Sequence, residues 1–242
     1  CVTLMNIAFR RSLDRLRRRA LHLGGMVEDQ VEKASKAIEG RDAALAAQVI
    51  AGDGDVDALE QEIEEECLHL LALHQPVAFD LRMLMSILKM NGQLERMGSL
   101  AVNLAQQAEL LSKRDPIDAV PFDLPAMTDT ARRMLHMALD AVLELDPDTA
   151  RRVRQMDDGV DDIHRGMYDA ICEAIQAAPE RGATLILYIG VSRQFERLAD
   201  YACGIAKDVI YLTEGEIVRH KADPPAPPRD ADRGEPPRDE PA

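Results

Sequence analysis

The chain is poor in aromatic residues, which make up 3% of its 242 residues, and it has no tryptophan. Alanine, leucine, methionine, glutamate and arginine are prominent instead, and all five are strong helix formers. Hydrophobic residues still make up 46% of the chain, which is enough for a buried core. The composition therefore predicts a helical protein with a core of aliphatic side chains.

The four cysteines, Cys1, Cys67, Cys172 and Cys203, form no C-x-x-C motif. This spacing argues against a zinc knuckle and against a redox pair. The last three have apolar helical neighbours, so we expect them to be small core residues. Reduced thiols are typical of a cytoplasmic protein.

Long apolar runs are absent as well. The longest covers residues 185–191, well short of the about 20 residues that span a membrane. We expect no signal peptide, because the first residues pass almost directly into Arg10-Arg11 and an amphipathic helix.

Acidic residues outnumber basic ones by 43 to 29, for a formal net charge of −14. A duplex-binding protein needs a basic surface that neutralises phosphates, so this balance argues against a nucleic-acid partner. It is typical of a protein that binds cations or a basic partner surface. The chain also has no glycine-rich phosphate loop, nucleophile elbow or Ser-His-Asp pattern, so we do not expect an enzyme.

Apolar residues recur at steps of three and four in six long stretches, and this period predicts helices. The predicted fold is all-α, with two tandem, pseudo-symmetric three-helix bundles over residues 6–111 and 124–220. A proline-containing linker over 112–123 joins them, and the Pro-rich acidic segment 223–242 is predicted to be disordered. The six predicted helices span residues 6–39, 42–74, 77–111, 124–145, 147–178 and 180–213.

An internal duplication is the most informative feature of the chain. The stretch from Gln93 to Ala101, QLERMGSLA, reads against QFERLADYA from Gln194 to Ala202. Each stretch is preceded by two aspartates one helical turn apart, and matching positions in the two copies are separated by a nearly constant offset. Such an offset indicates a repeat with small insertions or deletions.

The repeated carboxylates are predicted to lie level on neighbouring helices. Asp57 and Glu95 lie at equal distances along the chain from Pro76, one before it and one after it. Because Pro76 marks a short turn, the two flanking helices should pack antiparallel, with these residues at the same height. In the second copy, Asp161 and Glu196 lie at nearly equal distances on either side of Pro179.

Carboxylates at one level repel each other unless a cation, a proton or an arginine compensates them. Oxygen ligands suit Mg²⁺, Ca²⁺ and Mn²⁺, and carboxylates are also common iron ligands. The first copy has Ser99 where the second has Asp200, so its cluster has one carboxylate fewer. The predicted metal ligands are Asp53, Asp57 and Glu95 in the first copy, and Asp157, Asp161, Glu196 and Asp200 in the second.

Two other functions are compatible with this sequence. Glu66-x-x-His69 has the spacing of carboxylate-bridged di-iron oxidases, but such sites need two of these motifs. Asp161-x-x-His164 lies at a different register, so we interpret it as chance. The second alternative is a metal-free helical scaffold whose acidic residues are solvated and which binds partners through a helix face.

Several stretches resemble the PhoU family of phosphate-transport regulators. They are DGDVDALEQEI from Asp53, QPVAFDLR from Gln75, LERMG from Leu94, and FERLAD from Phe195, which runs on into VIYLTEG from Val209. The resemblance covers roughly residues 8–220. Ser99 departs from the aspartate that this family usually has at that position.

The resemblance implies two three-helix bundles, with multinuclear iron or zinc clusters on the carboxylates named above. It also implies a cytoplasmic adaptor between the ATPase subunit of the phosphate transporter and a membrane sensor histidine kinase. Such a protein would signal phosphate sufficiency and would reach the membrane only through its partners. We further expect a homodimer.

Overall fold

The computed structural model describes residues 2–215, with side chains from residue 8 onward. Within this part of the chain the structure is helical and has no strand. The α-helices are α1 (Val2–Gly40), α2 (Ala43–Ala51), α3 (Asp53–His74), α4 (Ala78–Ser112), α5 (Leu124–Glu144), α6 (Pro147–Ala177) and α7 (Gly182–Glu214). A single 3₁₀ turn, Pro179–Arg181, precedes α7.

Aspartate side chains begin three of these helices. The Asp42 carboxylate accepts hydrogen bonds from the backbone N–H groups of Ala44 and Leu45 at the start of α2. Asp123 caps α5 in the same way, and Asp146 caps α6. These N-caps satisfy backbone donors that have no partner within the helix.

The prediction of a single helix over 42–74 is wrong at one point, because the structure breaks this helix at Gly52. The Gly52 N–H still bonds back to the carbonyls of Gln48 and Val49, which ends α2. Glycine disfavours a helix interior because its backbone loses more entropy on ordering than that of other residues. The break makes Asp53 the first residue of α3, where the helix dipole favours a carboxylate.

The helices form two groups, as the sequence predicts. Helices α1, α3 and α4 pack together with the short α2, and α5, α6 and α7 form the second group. The core is aliphatic and nearly free of aromatics, with Phe195 its largest fully buried side chain. The predicted fold class is confirmed, whereas the boundaries of the bundles and the linker stay predictions. The predicted disordered segment 223–242 lies outside the described residues.

Helices α4 and α7 pack antiparallel and join the two bundles. Lys89 Nζ lies 3.0 Å from Asp208 Oδ1 across this boundary. Further along, Gly204 faces Gln93, and a Cβ added at the glycine would lie 2.9 Å from Gln93 Nε2. A glycine at this position therefore allows the two helices to approach closely.

No helix among residues 2–215 is long and apolar enough to cross a lipid bilayer. Cys67 and Cys203 are buried, as predicted from their apolar neighbours. The same prediction is wrong for Cys172, which is exposed. Cys172 follows the buried Ile171 directly, and consecutive residues on a helix point about 100° apart.

Candidate metal centre

The second copy places two pairs of carboxylates on facing helices. Asp157 and Asp161 lie one turn apart on α6, and Glu196 and Asp200 lie one turn apart on α7. Asp157, Asp161 and Glu196 are half-buried, whereas Asp200 is exposed at the rim of the cluster.

These carboxylates act on one another electrostatically. Burial, followed by the charges of Asp161 and Asp200, raises the pKa of Asp157 to about 6. Burial and the charges of Asp200 and Asp161 raise the pKa of Glu196, and burial with the Asp161 charge raises that of Asp200. These pairwise effects place the four predicted residues of the second copy within electrostatic reach of one another.

The first copy repeats this arrangement at lower charge. Asp53 and Asp57 lie on α3 and face Glu95 on α4. Burial and the charges of Asp57 and Glu95 raise the pKa of Asp53. Ser99 lies one turn beyond Glu95, and its hydroxyl donates to Glu95 Oε1 at 3.3 Å.

Tight packing beneath the cluster holds α3 and α4 at this spacing. Val56 and Ile63 are buried on α3, and Met97 and Gly98 are buried on α4. A Cβ added at Gly98 would lie 3.2 Å from Val56 Cγ1, so this glycine lets the two helices approach beside Asp57.

The structure adds a third level to each cluster. In the first copy, Asn91 Nδ2 donates to Glu60 Oε1 at 2.7 Å. Burial and neighbouring carboxylates, Glu64 first among them, raise the pKa of Glu60. In the second copy, His164 Nδ1 lies 2.8 Å from Ser192 Oγ at the equivalent level.

Glu60 and His164 are absent from the predicted ligands, and on sequence alone we interpret the Asp161-x-x-His164 spacing as chance, although counting from the prolines locates both residues. Glu60 and Asn91 lie at nearly equal distances along the chain on either side of Pro76. His164 precedes Pro179 by almost the same interval as Glu60 precedes Pro76. Counting residues from the proline therefore locates these two residues as well as the predicted carboxylates.

The buried Cys203 borders the second cluster on its other side. Its thiol donates to the Val153 carbonyl, with 3.9 Å between Sγ and O, and burial raises the pKa of Cys203 far above its usual range. The second cluster therefore has one nitrogen and one sulfur side chain at its margins. The residue added to the first cluster, Glu60, contributes a further carboxylate instead.

The donor chemistry fits a cation, but the side chains are not preorganised around one. Within the described part of the chain, no three histidine, cysteine, aspartate or glutamate side chains are arranged to hold a metal ion. Repelling carboxylates on facing helices nevertheless match the oxygen-rich ligand sets of hard and borderline metals.

The di-iron motif does not form a comparable site. Both carboxylate oxygens of Glu66 are occupied, one by Arg15 at 2.9 Å and the other by Arg19 at 2.8 Å. His69 is exposed on the same helix, α3. Glu66 is therefore a structural ion-pair partner that ties α1 to α3.

Comparison with known protein families finds a match over both copies. The family model described as the PhoU domain matches residues 20–108 and again residues 124–209. Its two matches coincide with the two helical bundles and include all seven predicted ligands.

Similar proteins cover nearly the whole chain. A phosphate-specific transport system accessory protein PhoU homolog from Aquifex aeolicus is 32% identical over 87% of this chain and 95% of its own length. The crystal structure of PhoU from Pseudomonas aeruginosa matches with a TM-score of 0.83 and 33% identity, over 86% of this chain and all of that one. PhoU from Streptococcus pneumoniae, a phosphate transport system regulatory protein, matches with a TM-score of 0.78 and 28% identity, over 87% and 99% of the two chains.

Proposed function

The chain belongs to the PhoU family, whose members are regulatory accessory proteins and not enzymes, and we propose that it controls phosphate uptake as a metal-binding regulator. The accessory role in phosphate transport follows from the family. The metal, the specific partners and the direction of regulation are the proposed part. The oxidase alternative does not agree with a family of regulators or with the ion-paired Glu66.

The observation that carries the metal proposal is the duplicated cluster of repelling carboxylates. Asp157, Asp161, Glu196 and Asp200 would hold the metal in the second copy, and Asp53, Asp57 and Glu95 in the first. A bound cation would supply positive charge that stabilises the ionised carboxylates. Iron or zinc is favoured by the family resemblance, and manganese or magnesium also suits oxygen ligands.

We further propose that the protein is a cytoplasmic adaptor. Its partners would be the ATPase subunit of the phosphate ABC transporter and a membrane sensor histidine kinase, with no nucleic acid. It would act as a negative regulator of the phosphate-starvation response, and as a homodimer. The acidic surface and the family membership support this proposal.

Metal analysis of the untagged protein, purified without chelators, tests the metal proposal. We expect bound iron, zinc or manganese in the wild type, and its loss from the second copy in Glu196→Gln/Asp200→Asn. The matched control is Asp162→Asn/Asp169→Asn, which removes two exposed carboxylates from α6. If neither the wild type nor the control contains bound metal, the result would favour the metal-free scaffold.

The same variants test regulation in cells. In a host strain that lacks its own copy, a phosphate-starvation reporter should be repressed by the wild type and the control in high phosphate. Glu196→Gln/Asp200→Asn should leave the reporter active if metal is required for signalling. Normal repression by this variant would separate the regulatory role from the metal.

A further inference from the structure

One end of the molecule combines exposed arginines with exposed apolar side chains. We call this surface the basic-apolar end. Its arginines lie on the outer face of α1, and its apolar residues lie at the end of α3 and the start of α4. The arginines are Arg10, Arg11, Arg15 and Arg18, and the apolar residues are Leu68, Leu71, Leu73, Val77 and Phe79.

Helices α1 and α3 run antiparallel, which brings these two sets of residues together. The rings of Phe9 and His74 lie 5.1 Å apart, and Arg15 pairs with Glu66 one to two turns further along. Arg11 on α1 is therefore level with Leu71 on α3, within the same end of the bundle.

The start of α1 is strongly basic on an acidic protein, although α3 places Glu62, Glu65 and Glu66 beside Arg15 and Arg19. Residues 10–19 contain six arginines and one acidic residue, whereas the whole chain has a net charge of −14. Among side chains of residues 8–215, no ion-pair partner occurs for Arg10, Arg11 or Arg18. These three charges are available to an external anion.

The apolar residues are strongly exposed. Val77 exposes 75% of its surface and Leu73 exposes 60%. Leu68 and Leu73 lie on different sides of α3, because five residues at about 100° each leave their side chains about 140° apart. The exposed apolar side chains thus surround the end of α3 rather than lining one groove.

The second copy shows that the repeat does not require this surface. Helix α5 begins at Leu124, which corresponds to residue 20, so the arginine-rich start of α1 has no counterpart. At an offset of 103, Glu180 replaces Val77 and Gln176 replaces Leu73. The first copy therefore carries charge and apolar surface that the shared fold does not need.

Contrary to the expectation that the protein reaches the membrane only through its partners, we propose that the basic-apolar end binds directly to the surface of a membrane that contains anionic lipids. Arginines attract anionic headgroups, and exposed aliphatic side chains gain from entering the interface. The remaining acidic surface is repelled by the same membrane, which orients the molecule. Apolar residues distributed around a helix end fit a lipid interface better than a protein groove, which would require a compact apolar patch.

Vesicle co-sedimentation with the full chain tests this proposal. Vesicles of phosphatidylcholine mixed with phosphatidylglycerol should bind the protein, and vesicles of phosphatidylcholine alone should not. Arg10→Gln/Arg11→Gln should lower the partition coefficient about 30-fold, which corresponds to about 1 kcal/mol for each charge removed. Leu73→Gln/Val77→Gln, which brings in side chains like those of the second copy, should also weaken binding.

The matched control is Arg133→Gln/Arg165→Gln, which removes the same charge from exposed positions of the second bundle. It should bind anionic vesicles like the wild type. Equal loss in both arginine variants would indicate nonspecific attraction and overturn the proposal, as would absence of binding to anionic vesicles. Binding of the transporter ATPase subunit through these same residues, without vesicle binding, would assign the surface to a protein partner instead.

Discussion

Lys89 on α4 and Asp208 on α7 form an ion pair that joins the two bundles, with 3.0 Å between Nζ and Oδ1. Only 9% of the Asp208 surface is exposed, so its carboxylate lies largely out of water. The Lys89 ammonium also lies 5.2 Å from the centre of the Tyr211 ring. The boundary between the bundles therefore depends on a polar contact that solvent screens weakly.

Removing this lysine should destabilise the whole protein. Lys89→Met leaves a buried carboxylate with weaker compensation, and we expect the free energy of unfolding to fall by about 2 kcal/mol. Urea denaturation measures the change. Lys33→Met is the control, because it breaks an exposed pair with Asp29 on one helix and should cost less than about 0.5 kcal/mol. Equal losses in the two variants would contradict a special role for the boundary pair.

Two glycine-to-alanine variants should differ in their effect on stability. At Gly204, a Cβ would lie 2.9 Å from Nε2 and 3.1 Å from Cδ of Gln93, so the end of this side chain must move away from Asp208, and we expect alanine to bring little or no net gain. At Gly159, on α6, a Cβ would meet nothing within 4 Å, so alanine should raise helix stability by about 0.5–1 kcal/mol. Thermal unfolding of both variants measures the difference, and an equal gain at Gly204 and Gly159 would contradict a close contact between Gly204 and Gln93.

The levels of the carboxylates were predictable because two regular helices joined by a short turn keep a fixed rise per residue. Counting from Pro76 predicts Asp57 level with Glu95, and in the structure both charges act on Asp53. The helix break at Gly52 was not predictable, because the apolar period continues from Val49 to Val56 across it.

The contact between the bundles was also not predictable from the pattern. Helices α4 and α7 meet partly where a glycine backbone faces a glutamine side chain, as at Gly204 and Gln93. These residues leave no apolar period in the sequence that would indicate a buried face. The exposure of Cys172 shows the reverse case, in which apolar neighbours do not imply that a residue itself is buried.

The metal-free protein should lose stability as the pH rises from about 4 to about 6. Because the folded state raises the pKa of Asp157 to about 6, it binds more protons than the unfolded state in this range. The contribution of Asp157 to stability is therefore greatest below its unfolded pKa of 3.8. This contribution declines as the carboxylate ionises at higher pH. Denaturation in the presence of a chelator, at several pH values, measures this contribution.

Asp157→Asn removes the charge and should reduce that decline. At neutral pH without metal, we expect this variant to be more stable than the wild type by about 1 kcal/mol, since solvent screens part of the repulsion. Asp158→Asn, at the exposed neighbouring position, should change stability little. A destabilised Asp157→Asn would mean that the favourable interactions of the carboxylate outweigh the repulsion.

Ser99→Asp should convert the first cluster into a closer copy of the second. The new carboxylate takes the position equivalent to Asp200 and replaces a hydroxyl that now donates to Glu95. Without metal, the added repulsion should lower the free energy of unfolding by about 1 kcal/mol. With metal present, equilibrium dialysis should show more bound metal per chain than in the wild type, because an additional carboxylate strengthens the ligand set. Ser99→Asn, which is similar in shape but neutral, should gain no metal. If Ser99→Asp gains none while the second copy is loaded, the first cluster is a partner-facing acidic surface and not a metal site.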